Sequence, residues 1–94
     1  GSAPSRPPAG PSARALFEQA TALEHASPER ALGLYARVAR LPGPWAAPAL
    51  FAQGRLEMEL GREAHGRAHL RRYLARHPDG LNTEDARRIL SRGP

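Results

Sequence analysis

The sequence predicts an all-α fold, two helical hairpins followed by a single C-terminal helix. Three observations predict it. Apolar residues recur at steps of three and four through five separate stretches, which places them on one face of a helix. Strong breakers divide those stretches: Ser27-Pro28, Leu41-Pro42-Gly43-Pro44, Gly61 and Pro78-Asp79-Gly80. Nowhere does a run alternate with the period of two that marks a strand.

Residues 1–11, GSAPSRPPAGP, contain Pro4, Pro7, Pro8 and Pro11 and no apolar residue larger than alanine, so they read as a disordered, polyproline-like linker. Gly1-Ser2 reads as a cloning remnant, and with no initiator Met or signal-peptide core the chain is expected to be a piece of a longer protein. The helical domain spans 12–92. Ser12 is placed to cap a first helix whose stripe is Leu16, Phe17, Ala20 and Leu23, running to about Ala26. Ser27 at the N-cap, Pro28 at the first helical position and Glu29 in the first turn then start a second, with Ala31, Leu34, Tyr35, Val38 and Leu41 as its stripe.

The Pro-Gly-Pro break forces a new element near Trp45, because the residue before each proline is pushed out of the α region. The third helix, Ala46 to Leu60, carries Ala49, Leu50, Phe51, Leu56, Met58 and Leu60, with Pro48 tolerable in its first turn. Gly61 is its stop, in a left-handed conformation. A fourth helix follows from Arg62 to His77, marked by Ala64, Ala68, Leu70, Tyr73 and Leu74. Asn82 or Thr83 caps the last, in which Ala86, Ile89 and Leu90 face inward and Arg87, Arg88 and Arg92 face water.

Composition narrows the function. Ninety-four residues make one small domain, and the absence of cysteine excludes disulfides, thiolate metal sites and cysteine nucleophiles. No apolar run approaches the roughly 20 residues of a membrane span, so no insertion of this piece is expected. With 40% hydrophobic and 5% aromatic residues the chain fills a modest core and leaves little for an active-site cavity. No Ser/His/Asp order, phosphate-cradling glycine loop or paired carboxylates occurs, so neither catalytic residues nor a cofactor are expected. All 14 basic residues are arginine and the net charge is +5. That arginine bias is also what GC-rich coding produces, and glutamates are interleaved with it, Glu57, Glu59 and Glu63 beside Arg55 and Arg62, as on a solvated mixed face.

Helix pairs recur with a period near 34 residues. Leu50, Gly54, Gly61, Gly66, Leu70, Tyr73 and Pro78 stand at the spacings of the leading large, small, small, small, large, small and proline positions of the tetratricopeptide consensus, and Pro44 falls one period before Pro78. The first pair matches more loosely, through Leu16, Ala20, Leu23, Ala31, Tyr35 and Val38. The chain from about Ser12 to Arg92 thus resembles two tetratricopeptide-like repeats plus a solvating helix. Two positions depart: Glu57 stands where the family has an aromatic, and Tyr73 where it has alanine, which suggests a swap of bulk or a distorted second hairpin. The segment Tyr73–Leu90 also resembles the ends of such domains in bacterial cell-envelope proteins, which implies a parent anchored in a membrane with this domain on its periplasmic side; a cytoplasmic setting is the alternative.

In tetratricopeptide arrays the first helix of each pair lines a concave groove. The resemblance implies partner-binding positions at Arg14, Phe17, Thr21, Glu24 and His25 in the first repeat and at Phe51, Arg55, Met58 and Glu59 in the second. Phe17, Phe51 and Met58 would hold an apolar residue of a peptide while Arg55 pairs with a carboxylate. The competing reading is that these three are core, since a chain poor in aromatics needs them there. His65 and His69 have the i, i+4 spacing of metal ligands but lack a third ligand on their face, and read as a solvated pair. Arg67 and Arg71 point away from Arg72 and Arg76, so no single phosphate-tracking stripe results. Trp45 is either an exposed anchor or a plug between the hairpins.

These observations lead to a non-enzymatic interaction module of a larger protein, binding a peptide or protein segment in a shallow groove, or an acidic partner on its basic outer faces. The alternatives are nucleic-acid binding by the arginines and self-association through an open repeat face.

Overall fold

The computed structural model describes residues 10–92. Within them lie five helices and no strand: α1 (Ala13–Leu23), α2 (Pro28–Ala39), α3 (Ala46–Glu59), α4 (Glu63–Arg76) and α5 (Thr83–Ser91). The expected linker lies outside the described residues up to position 9; Gly10 and Pro11 are non-helical.

Local chemistry sets the helix ends. The Ser12 hydroxyl accepts from the Ala15 N–H at 3.1 Å, satisfying one of the free donors of the first turn. α1 stops at Leu23, three residues short of the expected end. Pro28 keeps Ser27 out of the α region (φ −145°, ψ 69°), so the helix cannot run through it. The Ser27 N–H closes that turn on the Leu23 carbonyl at 2.8 Å. Ser27 occupies the N-cap without a side-chain bond, and Pro28 is the first helical residue. Gly61 adopts φ +80° between α3 and α4, which a side chain would oppose. At α5 it is Asn82 that occupies the N-cap, again with no side-chain bond, while the Thr83 hydroxyl donates back to the Gly80 carbonyl at 3.1 Å.

Each helix packs against the next, α1 on α2, α2 on α3, α3 on α4 and α4 on α5, and α3 also touches α5. Two apolar clusters result. Leu16 and Ala20 of α1, Ala31, Leu32, Tyr35 and Val38 of α2, and Ala49, Ala52 and Leu56 of α3 form the first. Leu50 and Phe51 of α3, Leu70 and Tyr73 of α4 and Ala86 of α5 form the second. α3 therefore contributes one face to each, and each large side chain fully withdrawn from water stabilises the fold by about 1.5–3 kcal/mol. Leu60, Ala64 and Ala68, expected on apolar faces, are instead exposed. They lie near the α3–α4 turn and on the outer side of α4, where no element packs over them.

The α3–α4 hairpin is unusually close where two glycines face each other. A methyl group on Gly66 would meet Met58 Sδ at 2.8 Å and the Gly54 carbonyl oxygen at 2.9 Å; one on Gly54 would meet Leu70 Cγ at 2.9 Å. Small residues are required here because the backbones themselves are nearly in contact. Tyr73, at a position expected to be small, is buried; its hydroxyl accepts the Asn82 N–H at 2.9 Å and its ring covers Gly80. The large ring thus fastens the α4–α5 turn to the second cluster.

Candidate functional site

The first site-forming feature is a chain of polar contacts joining the two hairpins. Arg55, two turns into α3, donates from Nη2 to Glu24 at 2.6 Å and from Nη1 to Glu59 at 2.6 Å. Glu24, in the turn after α1, also accepts a hydrogen bond from the Tyr35 hydroxyl, which lies 3.0 Å from the Thr21 hydroxyl. Burial pushes the Glu24 carboxyl up, but the bonds from Arg55 and Tyr35 and the Arg55 charge outweigh it and hold the group below its ordinary value. For Tyr35, burial first and then donation to the Glu24 carboxylate push the phenol up to about 12. Burial alone would lower the Arg55 guanidinium, yet its bonds to Glu24 and Glu59 raise it further. The network stays ionised and neutral in tyrosine across ordinary pH.

Beside this network lies an open cleft of about 560 Å³, within the roughly 300–1,000 Å³ of small-ligand and peptide-anchor sites. Phe51, Arg55, Met58 and Glu59 of α3 form one wall, Asp85, Arg88, Ile89 and Arg92 of and just after α5 the other, and Glu63 at the start of α4 closes one end. The floor is apolar, from Phe51, Met58 and Ile89, and the rim carries three arginines and three carboxylates. Such a lining suits an amphipathic segment with one apolar anchor.

The expected partner-binding residues thus separate into groups. Phe51, Arg55, Met58 and Glu59 line the cleft together. Thr21 and Glu24 join Arg55 through the polar chain but line no part of the cleft. Phe17 is packed between the rings of Tyr35 and Trp45, with centroids 5.5 Å and 5.2 Å away, and serves the first cluster. Arg14 pairs with Glu18 on the exposed side of α1, and His25 is exposed. Trp45 is half-buried against the first cluster, its ring beside that of Phe17, and is not a fully exposed anchor. The carboxylate expected for Arg55 is supplied from within the chain, by Glu24 and Glu59.

The α5 wall and Glu63 lie outside the expected partner-binding positions. The sequence signal for the α5 wall is the amphipathic pattern of the last helix, with Ile89 on its apolar side and Arg88 and Arg92 on its polar side. The expected solvated histidine pair is half corrected: His65 is exposed, but His69 Nδ1 lies 2.6 Å from Glu57, a carboxylate only 7% exposed. A buried carboxylate needs a partner, and this ring provides it across the hairpin. Among the described residues no three ligand-type side chains converge on a point, and no helix is long and apolar enough to cross a membrane. Arg67 straps α4 to α5 by donating to the Leu90 carbonyl at 2.9 Å, while Arg71 is exposed. Comparison with protein-family models, curated proteins and solved structures returned no match.

Proposed function

We propose that this chain is a non-enzymatic interaction module of tetratricopeptide type, which takes a peptide or protein segment of a partner into the cleft between α3 and α5. The observation that carries the reading is the cleft itself, an apolar floor of Phe51, Met58 and Ile89 inside a rim of mixed charge. The tetratricopeptide assignment is supported by the Gly54–Gly66 approach, at the two positions where the consensus calls for small residues. It is also supported by the order of the helices, each packed on its successor, with α3 touching α5 as first helices of adjacent repeats do. A role for the parent protein on the periplasmic side of a membrane belongs to the same reading and rests on the resemblance of Tyr73–Leu90 to envelope-protein domains.

The partner segment contributes one apolar side chain to the floor and both signs of charge to the rim. Groove binding of this kind depends on partner side chains more than on ionic strength. Peptides selected from a displayed random library provide the test, titrated against the protein while amide NMR shifts are recorded. Shifts on α3 and α5 that vanish in Ile89→Arg, with helical content unchanged, are expected. Selected peptides that bind Ile89→Arg as well as the parent would refute the cleft. Tight duplex DNA binding with a steep salt dependence would favour the nucleic-acid alternative.

A further inference from the structure

A second cavity, sharing no lining residue with the cleft, gathers arginines from two helical segments. Arg40, just after α2, and Arg72 and Arg76 of α4 surround it together with Gln53 and His69, over a floor that includes Ala39 and Leu50. Among the described residues none of these three guanidinium groups has a carboxylate within ion-pairing distance. Arg72 and Arg76 are an i, i+4 pair of like charge, an arrangement that disfavours a helix, and Arg40 brings a third positive charge to the same place. A helix C-terminus attracts cations, which accounts for a basic residue at position 40 or 76. It does not account for three converging on one cavity.

The neighbouring carboxylate, Glu57, does not line the cavity and is engaged by His69 Nδ1. Nε2 of that ring has no internal hydrogen-bond partner among the described residues. We propose that this cavity binds a phosphomonoester group. A carboxylate would offset one of the three charges, whereas a phosphomonoester carries nearly two and offers three terminal oxygens to the guanidinium donors. The cavity holds about 90 Å³, on the order of three water molecules. That is room for the phosphoryl group and not for what it is attached to, so the remainder of the ligand lies outside. This site does not depend on the α3–α5 cleft being a peptide groove.

The experiment is an NMR titration of the whole chain with inorganic phosphate, a phosphoserine peptide with neutral flanks, and adenosine monophosphate. Saturable shifts centred on Arg40, Gln53, His69, Arg72 and Arg76 are expected. Arg40→Gln, and separately Arg76→Gln, should weaken binding about tenfold, the loss expected for a hydrogen bond to a charged group. Arg71→Gln, exposed on the same helix but outside the cavity, should leave it unchanged. All three substitutions are at exposed positions, and circular dichroism verifies that the fold is intact. A tighter peptide assigns the phosphoryl group to a protein partner and a tighter nucleotide to a nucleotide; either supports the site. No saturation at millimolar phosphate, equal binding of glutarate, or equal weakening by Arg71→Gln overturns it.

Discussion

The approach of Gly54 and Gly66 makes a prediction in which one substitution type has opposite signs at two positions. Replacing glycine by alanine inside a helix ordinarily stabilises it by about 0.5–1 kcal/mol, through backbone entropy. Gly33, within α2, has nothing within 4 Å of the added methyl group, so Gly33→Ala should show that gain in full. At Gly66 the methyl meets the Gly54 carbonyl oxygen at 2.9 Å, and backbone cannot step aside as a side-chain tip does. Overpacking of this kind costs about 1–3 kcal/mol, so Gly66→Ala should be destabilised by roughly 0.5–2 kcal/mol net of its propensity gain. For a domain of this size 1 kcal/mol moves the melting temperature by about 4–8 °C. Thermal denaturation followed by helical circular dichroism reads both variants. If Gly66→Ala melts as high as Gly33→Ala, α3 and α4 are not in backbone contact and the hairpin geometry is wrong.

Four further outcomes follow from the polar contacts. Tyr35→Phe leaves Glu24 without its phenol donor and should cost about 1–2 kcal/mol in urea denaturation; no change would mean that Arg55 alone satisfies Glu24. The same bond sets a pH dependence at each end of the scale. The phenol is held at about 12 against an ordinary 10.0, so stability in place below pH 10 is lost as pH rises towards 12, a decline that Tyr35→Phe should flatten. Glu24, held below its ordinary 4.5, contributes stability above that value that is lost as pH falls through its folded pKa. An acid limb unaffected by Glu24→Gln would refute it. Finally, Glu57→Ala strips His69 of its buried partner and should cost about 1–3 kcal/mol, with Glu57→Gln milder because an amide still bonds the ring.

The helices were legible in the sequence because their limits are local events. Pro28, Gly61 and the Pro42-Gly43-Pro44 break act on the backbone of the residues beside them, and Ser12 caps a turn three residues away. The end of α1 at Leu23 is not legible because nothing between Leu23 and Ala26 breaks a helix; Pro28 excludes only Ser27 from the α region. The polar pairs were not legible. Glu57 and His69 meet across a hairpin, and Glu24 meets Arg55 across 31 positions. Such meetings depend on the register between helices, which composition and periodicity leave open. The same limit divides the candidate cleft: its α3 wall coincides with positions that the resemblance implies, while the α5 wall depends on the contact between α3 and α5.

Arg55 shows why register decides the location of the site. Read from the sequence, it is a cation awaiting a partner's carboxylate, with Met58 beside it to hold an apolar side chain. In the folded chain Arg55 joins Glu24 after α1 to Glu59 on α3, and Met58 packs its thioether against Gly66. Removing both would loosen the seam between the hairpins and the α3–α4 approach at once, so a loss of binding would say nothing about the cleft. Ile89 is free of both duties: it is partly buried against the second cluster and lines the cleft from α5. An arginine there places charge and bulk on the apolar floor while the Glu24–Arg55–Glu59 chain and the glycine contact persist. If Ile89→Arg keeps its melting temperature and loses its peptide, binding and folding have been separated. If it unfolds, Arg88→Glu on the same wall, 60% exposed and paired only with Asp85, makes the same distinction through the rim.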